Sequence, residues 1–226
     1  MSISKFKPAI RPLNYGPPQA PLEIIHKDEH LLVLNKPSGL LSVPGKGPEV
    51  QDSLELRAKA DFPEALLVHR LDMDTSGVFV MALNKETQRN LGLQFERRKT
   101  AKTYIARVHG SPEDNEGLID LPLRCDWPNR PLQMVCYEHG REAQTGWKVL
   151  ERGEDSTLVE LNPITGRSHQ LRVHMLELGH PILGDCFYAP EEVFQAAPRL
   201  LLHAQSLEIH HPDGGDRVRF EAPLAL

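Results

Sequence analysis

Apolar positions along this chain come in short runs, broken by charged turns or by glycine and proline. "LEIIHKDEHLLVLNKPSG" reads as two strands, around Leu22–His26 and Leu31–Asn35, joined by the charged turn "KDEH". "GVFVMALN", "KTYIARVHG", "LQMVCYE", "EAQTGWKVLER", "STLVELNP", "LLLHAQSLEIHH" and "RVRFEAP" show the alternation or the β-branched and aromatic enrichment of strands, the last two joined by the turn "PDGGD". Three segments read as helices. "DSLELRAKADF" begins with Asp52 as N-cap and Glu55 three residues on, a capping-box pattern. "KETQRNLGLQFERRK" follows the cap Asn84 and ends in a basic turn suited to the helix dipole. "SHQLRVHMLELG" is capped by Ser168 and closed by Gly179, with Pro181 beyond. Strands therefore come in runs with few helices between them, which predicts an α+β fold with a mixed, largely antiparallel sheet.

Composition adds limits. At 226 residues, with 40% apolar and 25% charged residues, the chain can bury a sizeable core, as one large domain or as two lobes. Residues 1–20 form a Pro-rich tail without the apolar stretch of a secretory signal. No window approaches the roughly 20 apolar residues of a membrane span, so a cytoplasmic location is expected. Three cysteines without C-x-x-C spacing argue against a disulfide framework or a zinc knuckle. His169 and His174, five apart, do not put two ligands on one helical face, and H-E-x-x-H is absent, so no metal site is expected. The net charge of −5 excludes a simple nucleic-acid coat protein but leaves room for a local basic groove.

The chemistry-bearing stretch is "HRLDMDTSG", His69 to Gly77, set between two apolar runs. If it is extended, Asp72 and Asp74 point to opposite faces, so one carboxylate at most enters a given pocket. Asp74, followed by Thr-Ser-Gly, reads as a turn or capping acceptor, and Asp72 is the candidate for chemistry. "DMDT" superficially matches the D-x-D-x-T loop of magnesium phosphatases, with "DGGD" as a distal acidic pair. That loop needs an apolar strand running straight into its first Asp, and His69 and Arg70 interrupt it here. "HRLD" departs from the kinase loop H-R-D by Leu71, and no Gly-rich phosphate loop or D-F-G accompanies it.

Taken together, "KPSGLLSVPG" (36–45), "HRLDMDTSGVFVMA", "KTYIARVHG" (102–110) and "PITGRSHQLRVHMLELGHPILGD" (163–185) resemble the RluA-type RNA pseudouridine synthases, in the order that family shows them. "CDWPNRPLQMVCYEHGREAQT" (125–145) is similar to the short branch of that family that acts on both transfer RNA and large-subunit (23S) ribosomal RNA. The resemblance implies a bent sheet with a central catalytic cleft, one catalytic domain over 21–226, and no extra RNA-binding domain. It also implies no metal or organic cofactor, and structured RNA as partner; a monomer is expected. It assigns Asp72 as the catalytic aspartate, Arg172 as its guanidinium partner and Tyr104 as the ring packed on the target base. Arg70 fills the stack left by a flipped uridine, and His69 and Arg167 join it in binding the substrate. Arg124, Arg130 and Arg141, with Arg167, are candidates for a phosphate-binding groove. The alternatives are a magnesium phosphatase using Asp72 and Asp74, and a non-catalytic RNA-binding module.

Overall fold

A computed structural model describes residues 15–224 and residue 226; most of the Pro-rich tail, residues 1–14, lies outside them. The strands are β1 (Glu23–Lys27), β2 (Leu31–Lys36), β3 (Leu66–Leu67), β4 (Ser76–Ala82), β5 (Ala101–His109), β6 (Glu116–Asp120), β7 (Leu123–Cys125), β8 (Gln133–Val135), β9 (Gln144–Arg152), β10 (Ser156–Pro163), β11 (Leu202–His210) and β12 (Arg217–Glu221). The helices are α1 (Leu54–Asp61), α2 (Lys85–Glu96), α3 (Gln170–Glu177) and α4 (Glu191–Gln195). The described residues divide into two compact units, one of 15–102 with 203–224, the other Thr103–Leu202 with Leu226.

In the first unit β1, β2, β4, β11 and β12 lie side by side, with β3 on the end of β4. Every pairing is antiparallel except β4 with β11, so the sheet is mixed. β4 is buried along its whole length. Its alternation explains why: Val78, Val80 and Ala82 join Leu91 of α2 on one face, while Phe79 and Met81 join Leu54 and Ala58 of α1 on the other. A strand covered on both faces reads as a continuous apolar run, as "VFVMA" does. At the head of β4, Gly77 has φ 110°, and a Cβ there would lie 2.2 Å from the Ala204 carbonyl oxygen. Only glycine permits the parallel pairing with β11 at that point.

The second unit holds an antiparallel sheet in the order β5, β10, β9, β6, and the short ladder β7–β8. α3 is buried on all sides, so its sequence shows no single apolar face. It ends in a Schellman closure: Gly179 N–H donates to Leu176 O at 2.9 Å and His180 N–H to Met175 O at 2.9 Å.

Two expected caps are displaced by one residue. Ser53, not Asp52, caps α1, its Oγ accepting from Leu56 N–H at 3.4 Å. Asp52 is taken instead by Arg57, through Nε at 2.8 Å and Nη2 at 2.6 Å. His169, not Ser168, precedes α3, in a left-handed conformation with φ 54°. Asn84 caps α2 as expected, its Oδ1 accepting from Thr87 N–H at 2.8 Å. The basic run lies beyond α2's last turn, and Arg98 (φ 54°) closes the helix where glycine is usual. Residues 15–20 are tied down: Tyr15 OH donates to Asp52 O at 2.5 Å, and Arg57 Nη1 donates to Pro18 O at 2.9 Å.

Candidate active site

The loop from His69 to Gly77 is built by its neighbours in the first unit. β2 places Leu32, Leu34 and Lys36 on one face, and Lys36 is fully buried there. Pro37 stops the strand, and Gly39 (φ 81°) turns the chain back. The resulting segment 36–42 grips the loop by its backbone. Lys36 Nζ donates to Met73 O at 2.7 Å as well as to Leu40 O (2.6 Å) and Pro37 O (2.9 Å). Gly39 N–H donates to Met73 O at 3.0 Å and Ser38 Oγ to Asp74 O at 2.7 Å. Ser42 Oγ donates to Leu71 O at 2.7 Å and accepts from Leu71 N–H at 3.1 Å.

Between these anchors the chain turns at Met73–Asp74, with Thr75 N–H donating to Asp72 O at 3.2 Å. The loop is therefore a turn, not the extended segment considered from the sequence. Asp74 holds the turn position expected of it. Burial drives the Lys36 pKa down to about 7, against the pull of the Asp74 and then the Asp72 carboxylates, which raise it. Lys36 is thus within electrostatic reach of both aspartates of the loop.

His69 and Arg70 differ in setting. Arg70 is exposed. The His69 ring stacks on Phe79 and Phe95 at 4.6 and 4.9 Å between centroids. Its Nε2 accepts from Val80 N–H at 3.1 Å, so the proton of the neutral ring is on Nδ1. β11 pairs with the start of β4 and β3 with its end; His69 serves the amide between them. Withdrawal from water pushes the His69 pKa down to about 3, and the Lys102 ammonium adds to the push. His69 is a neutral part of the fold near physiological pH.

In the second unit, Gln170 sews the "TGRSHQ" turn together. Its Oε1 accepts from Thr165 Oγ1 at 2.7 Å and Arg167 N–H at 3.0 Å. Its Nε2 donates to Gln144 O and Thr145 Oγ1, both at 2.9 Å. Arg167 Nε donates to Glu142 O at 2.9 Å. One turn into α3, the guanidinium of Arg172, 2% exposed, grips Asp185 in a fork: Nε to Oδ2 at 2.8 Å and Nη2 to Oδ1 at 2.6 Å. Burial raises the Asp185 pKa, but Arg172 and the amides of Phe187 and Tyr188 outweigh it and hold the carboxyl below its usual range. The Arg172 guanidinium also lies 5.1 Å from the Phe187 ring and 5.2 Å from the Tyr188 ring. Tyr104 is partly buried on β5, packed on the core that holds Ala106 and Val108.

Lys36, Ser42, Gln170 and Asp185 were not singled out from the sequence. Period-2 alternation is the signal that could have found Lys36, which follows Leu32 and Leu34 on the inward face. Nothing local marks Asp185 as the partner of a residue 13 positions earlier. Among the described residues, no three His, Cys, Asp or Glu side chains gather to hold a metal, and no helix is long and apolar enough to cross a membrane.

A family model described as RNA pseudouridylate synthase matches residues 30–177. The dual-specificity RNA pseudouridine synthase RluA of Escherichia coli K12 is 59% identical over 212 residues, 93% of this chain and 97% of that protein. Its counterpart in Yersinia pestis is 60% identical over 199 residues, 88% of this chain and 97% of that one. Among solved structures, human RNA pseudouridylate synthase domain containing 1 superposes with a TM-score of 0.75 at 29% identity, covering 95% of this chain and 86% of that one. No comparison supports a magnesium phosphatase or a non-catalytic binding module. With its "HRLDMDTSG" loop gripped from the "KPSGLLS" segment, the chain belongs to the RNA pseudouridylate synthase family, enzymes that isomerise uridine within RNA.

Proposed function

We propose that this enzyme converts uridine to pseudouridine at specific sites of structured RNA, in the anticodon stem-loop of transfer RNA and in 23S ribosomal RNA. The identity to the dual-specificity enzymes supports that choice of substrates. The observation that carries the mechanism is the grip of segment 36–42 on the loop backbone, which holds Asp72 at a fixed turn beside a buried lysine. Pre-organisation of this kind is what a single reacting carboxylate requires.

The reaction breaks the N1–C1′ bond, turns the uracil and joins C5 to C1′. It is an isomerisation, so no co-reactant enters and nothing leaves. The Asp72 carboxylate acts on ribose or base as nucleophile, or as base on the sugar. The family resemblance supports Arg172 as the guanidinium that serves this carboxylate, and Tyr104 as the ring that receives uracil. Asp185 then positions Arg172. Arg70, exposed at the loop, occupies the stack left by the flipped base, and flipping costs a few kcal/mol. Arg167 contacts the RNA. His69 contributes by holding the loop against β4. The enzyme acts as a monomer in the cytoplasm.

The test is nucleotide-resolution mapping of pseudouridine in transfer and ribosomal RNA from cells with and without the gene. Loss of signal at uridines in both RNA classes is expected. An unchanged map would reject the proposal, and loss in one class alone would reject dual specificity.

A further inference from the structure

The stretch from Leu123 to Arg141 forms a small module on the second unit that the proposed chemistry does not use. β7 and β8 pair Leu123 with Val135, Arg124 with Met134, and Cys125 with Gln133. Alternation sends Leu123 and Val135 inward, where with Leu132 they pack on Val173 and Leu176 of α3 and on Tyr188. Arg124 and Met134 share the opposite face. The tip is braced: Asp126 N–H donates to Leu132 O at 2.9 Å, and Asn129 Nδ2 donates to Asp126 Oδ2 at 2.9 Å. At the base, Arg141 and Leu123 exchange backbone hydrogen bonds of 2.8 and 2.9 Å. The module is packed on the helix that carries Arg172 and braced by hydrogen bonds.

Its exposed residues combine aromatic rings with unneutralised guanidiniums. Trp127 is 60% exposed, Tyr137 62% and Met134 42%. The Arg130 guanidinium carbon lies 3.6 Å from the Trp127 ring centroid. Among the described residues no carboxylate lies within ion-pair distance of Arg124, Arg130 or Arg141, whereas Arg57, Arg172, Arg217 and Arg219 are all paired. An acidic chain, net −5, thus leaves three arginines without counter-charge in one short stretch. A protein partner would have to desolvate those charges. An unpaired nucleotide strand satisfies both features at once, its bases stacking on the rings and its phosphates neutralising the guanidiniums.

We propose that this module is a docking surface for unpaired nucleotides of the RNA substrate, with Trp127 and Tyr137 as stacking faces and Arg124, Arg130 and Arg141 as phosphate contacts. The proposal rests on the reading of the protein as an RNA-modifying enzyme. Arg130 on one face of the indole makes a guanidinium–indole–base stack. The surface would set which loop sequences reach the reacting centre in a productive register.

The chain holds two tryptophans, and the other, Trp147, is only 6% exposed, so a contact quench by added RNA reports on Trp127. Full-length protein is titrated with a short stem-loop RNA carrying an unpaired loop, and filter retention is measured alongside. Emission should be quenched with the Kd that retention gives, and in Trp127→Phe the quench should vanish. Trp127→Ala should weaken the Kd by about tenfold, and Trp127→Phe, which keeps a ring, by about threefold or less. Arg130→Ala should lower the slope of log Kd against log salt by about one. Wild-type retention with no quench, together with an unchanged Kd in Trp127→Ala, would overturn the surface and leave the RNA-modifying reading standing. A wild type that neither retains RNA nor forms pseudouridine would overturn that reading, and this inference with it.

Discussion

Lys36 shows how much of the site is decided by one side chain. It is fully buried, so its charge survives only because carbonyls of Pro37, Leu40 and Met73 and the two loop carboxylates surround it. Lys36→Met would keep the volume and remove the donor, leaving buried carbonyls unserved at about 1–3 kcal/mol each. We expect a loss of about 2–4 kcal/mol in chemical denaturation and a fall in turnover larger than any fall in RNA affinity. The pH dependence has a definite sign. The folded pKa of about 7 lies below the roughly 10.4 of an unfolded lysine, so the unfolded chain binds more protons between these values. Wild type should therefore gain stability relative to Lys36→Met as pH rises from 7 to 9; a constant gap would mean that the charge is not buried. Asp185 makes a second case. Asp185→Asn halves the fork on a guanidinium that is 2% exposed, and a broken buried pair costs about 3–5 kcal/mol. A stability within 1 kcal/mol of wild type, by the same denaturation, would show that Asp185 does not position Arg172.

Among the elements, those with a strong local signature were legible and those held by neighbours were not. β2, β4, β5, β9, β10, β11 and β12 follow from alternation or from continuous β-branched runs, and α2 from its Asn84 cap. β6 escaped notice because four of its five residues are exposed and only Ile119 is buried, so it carries no alternation. α3 was placed, but its cap was not, because the turn before it is fixed by Gln170 reaching back to Thr165, Arg167 and Gln144 instead of by Ser168. Turn chemistry points to Asp74 as a turn residue, where the structure has it, and leaves Asp72 as the residue proposed for chemistry. The grip of segment 36–42 on the loop was out of reach, because it joins residues 29 to 37 positions apart. Tertiary hydrogen bonds have no local signal. A further clasp joins the β1–β2 turn to the end of β11: Asp28 Oδ2 accepts from His26 Nε2 at 2.7 Å and His211 Nε2 at 3.0 Å. Burial pushes the Asp28 pKa up, but these histidines and the amides of His30 and Leu31 hold it far below the usual range. Burial lowers the His211 pKa, but Asp28 outweighs this and raises it. The aspartate's contribution is present above about pH 3.9 and lost in acid, and the histidine's is present below about pH 6.5 and lost as pH rises through its raised value. Asp28→Asn should therefore destabilise more at pH 6 than at pH 8.5; equal losses at the two values would dissolve the clasp.

Across the whole molecule, an acidic chain meets a polyanionic substrate by local means: a loop with an exposed arginine, a braced module with unneutralised guanidiniums, and a carboxylate set at a gripped turn. Each unit builds its part with its own core. The central claim is that one carboxylate, Asp72, performs the isomerisation while the rest of the protein binds and positions. It is tested most directly by single-turnover pseudouridine formation on a transfer RNA transcript with saturating enzyme, comparing wild type with Asp72→Asn and measuring RNA affinity for both. Asp72→Asn should give no product above background, with a Kd within about threefold of wild type, since only the charge of one side chain is removed. Product from Asp72→Asn at or near the wild-type rate would contradict it.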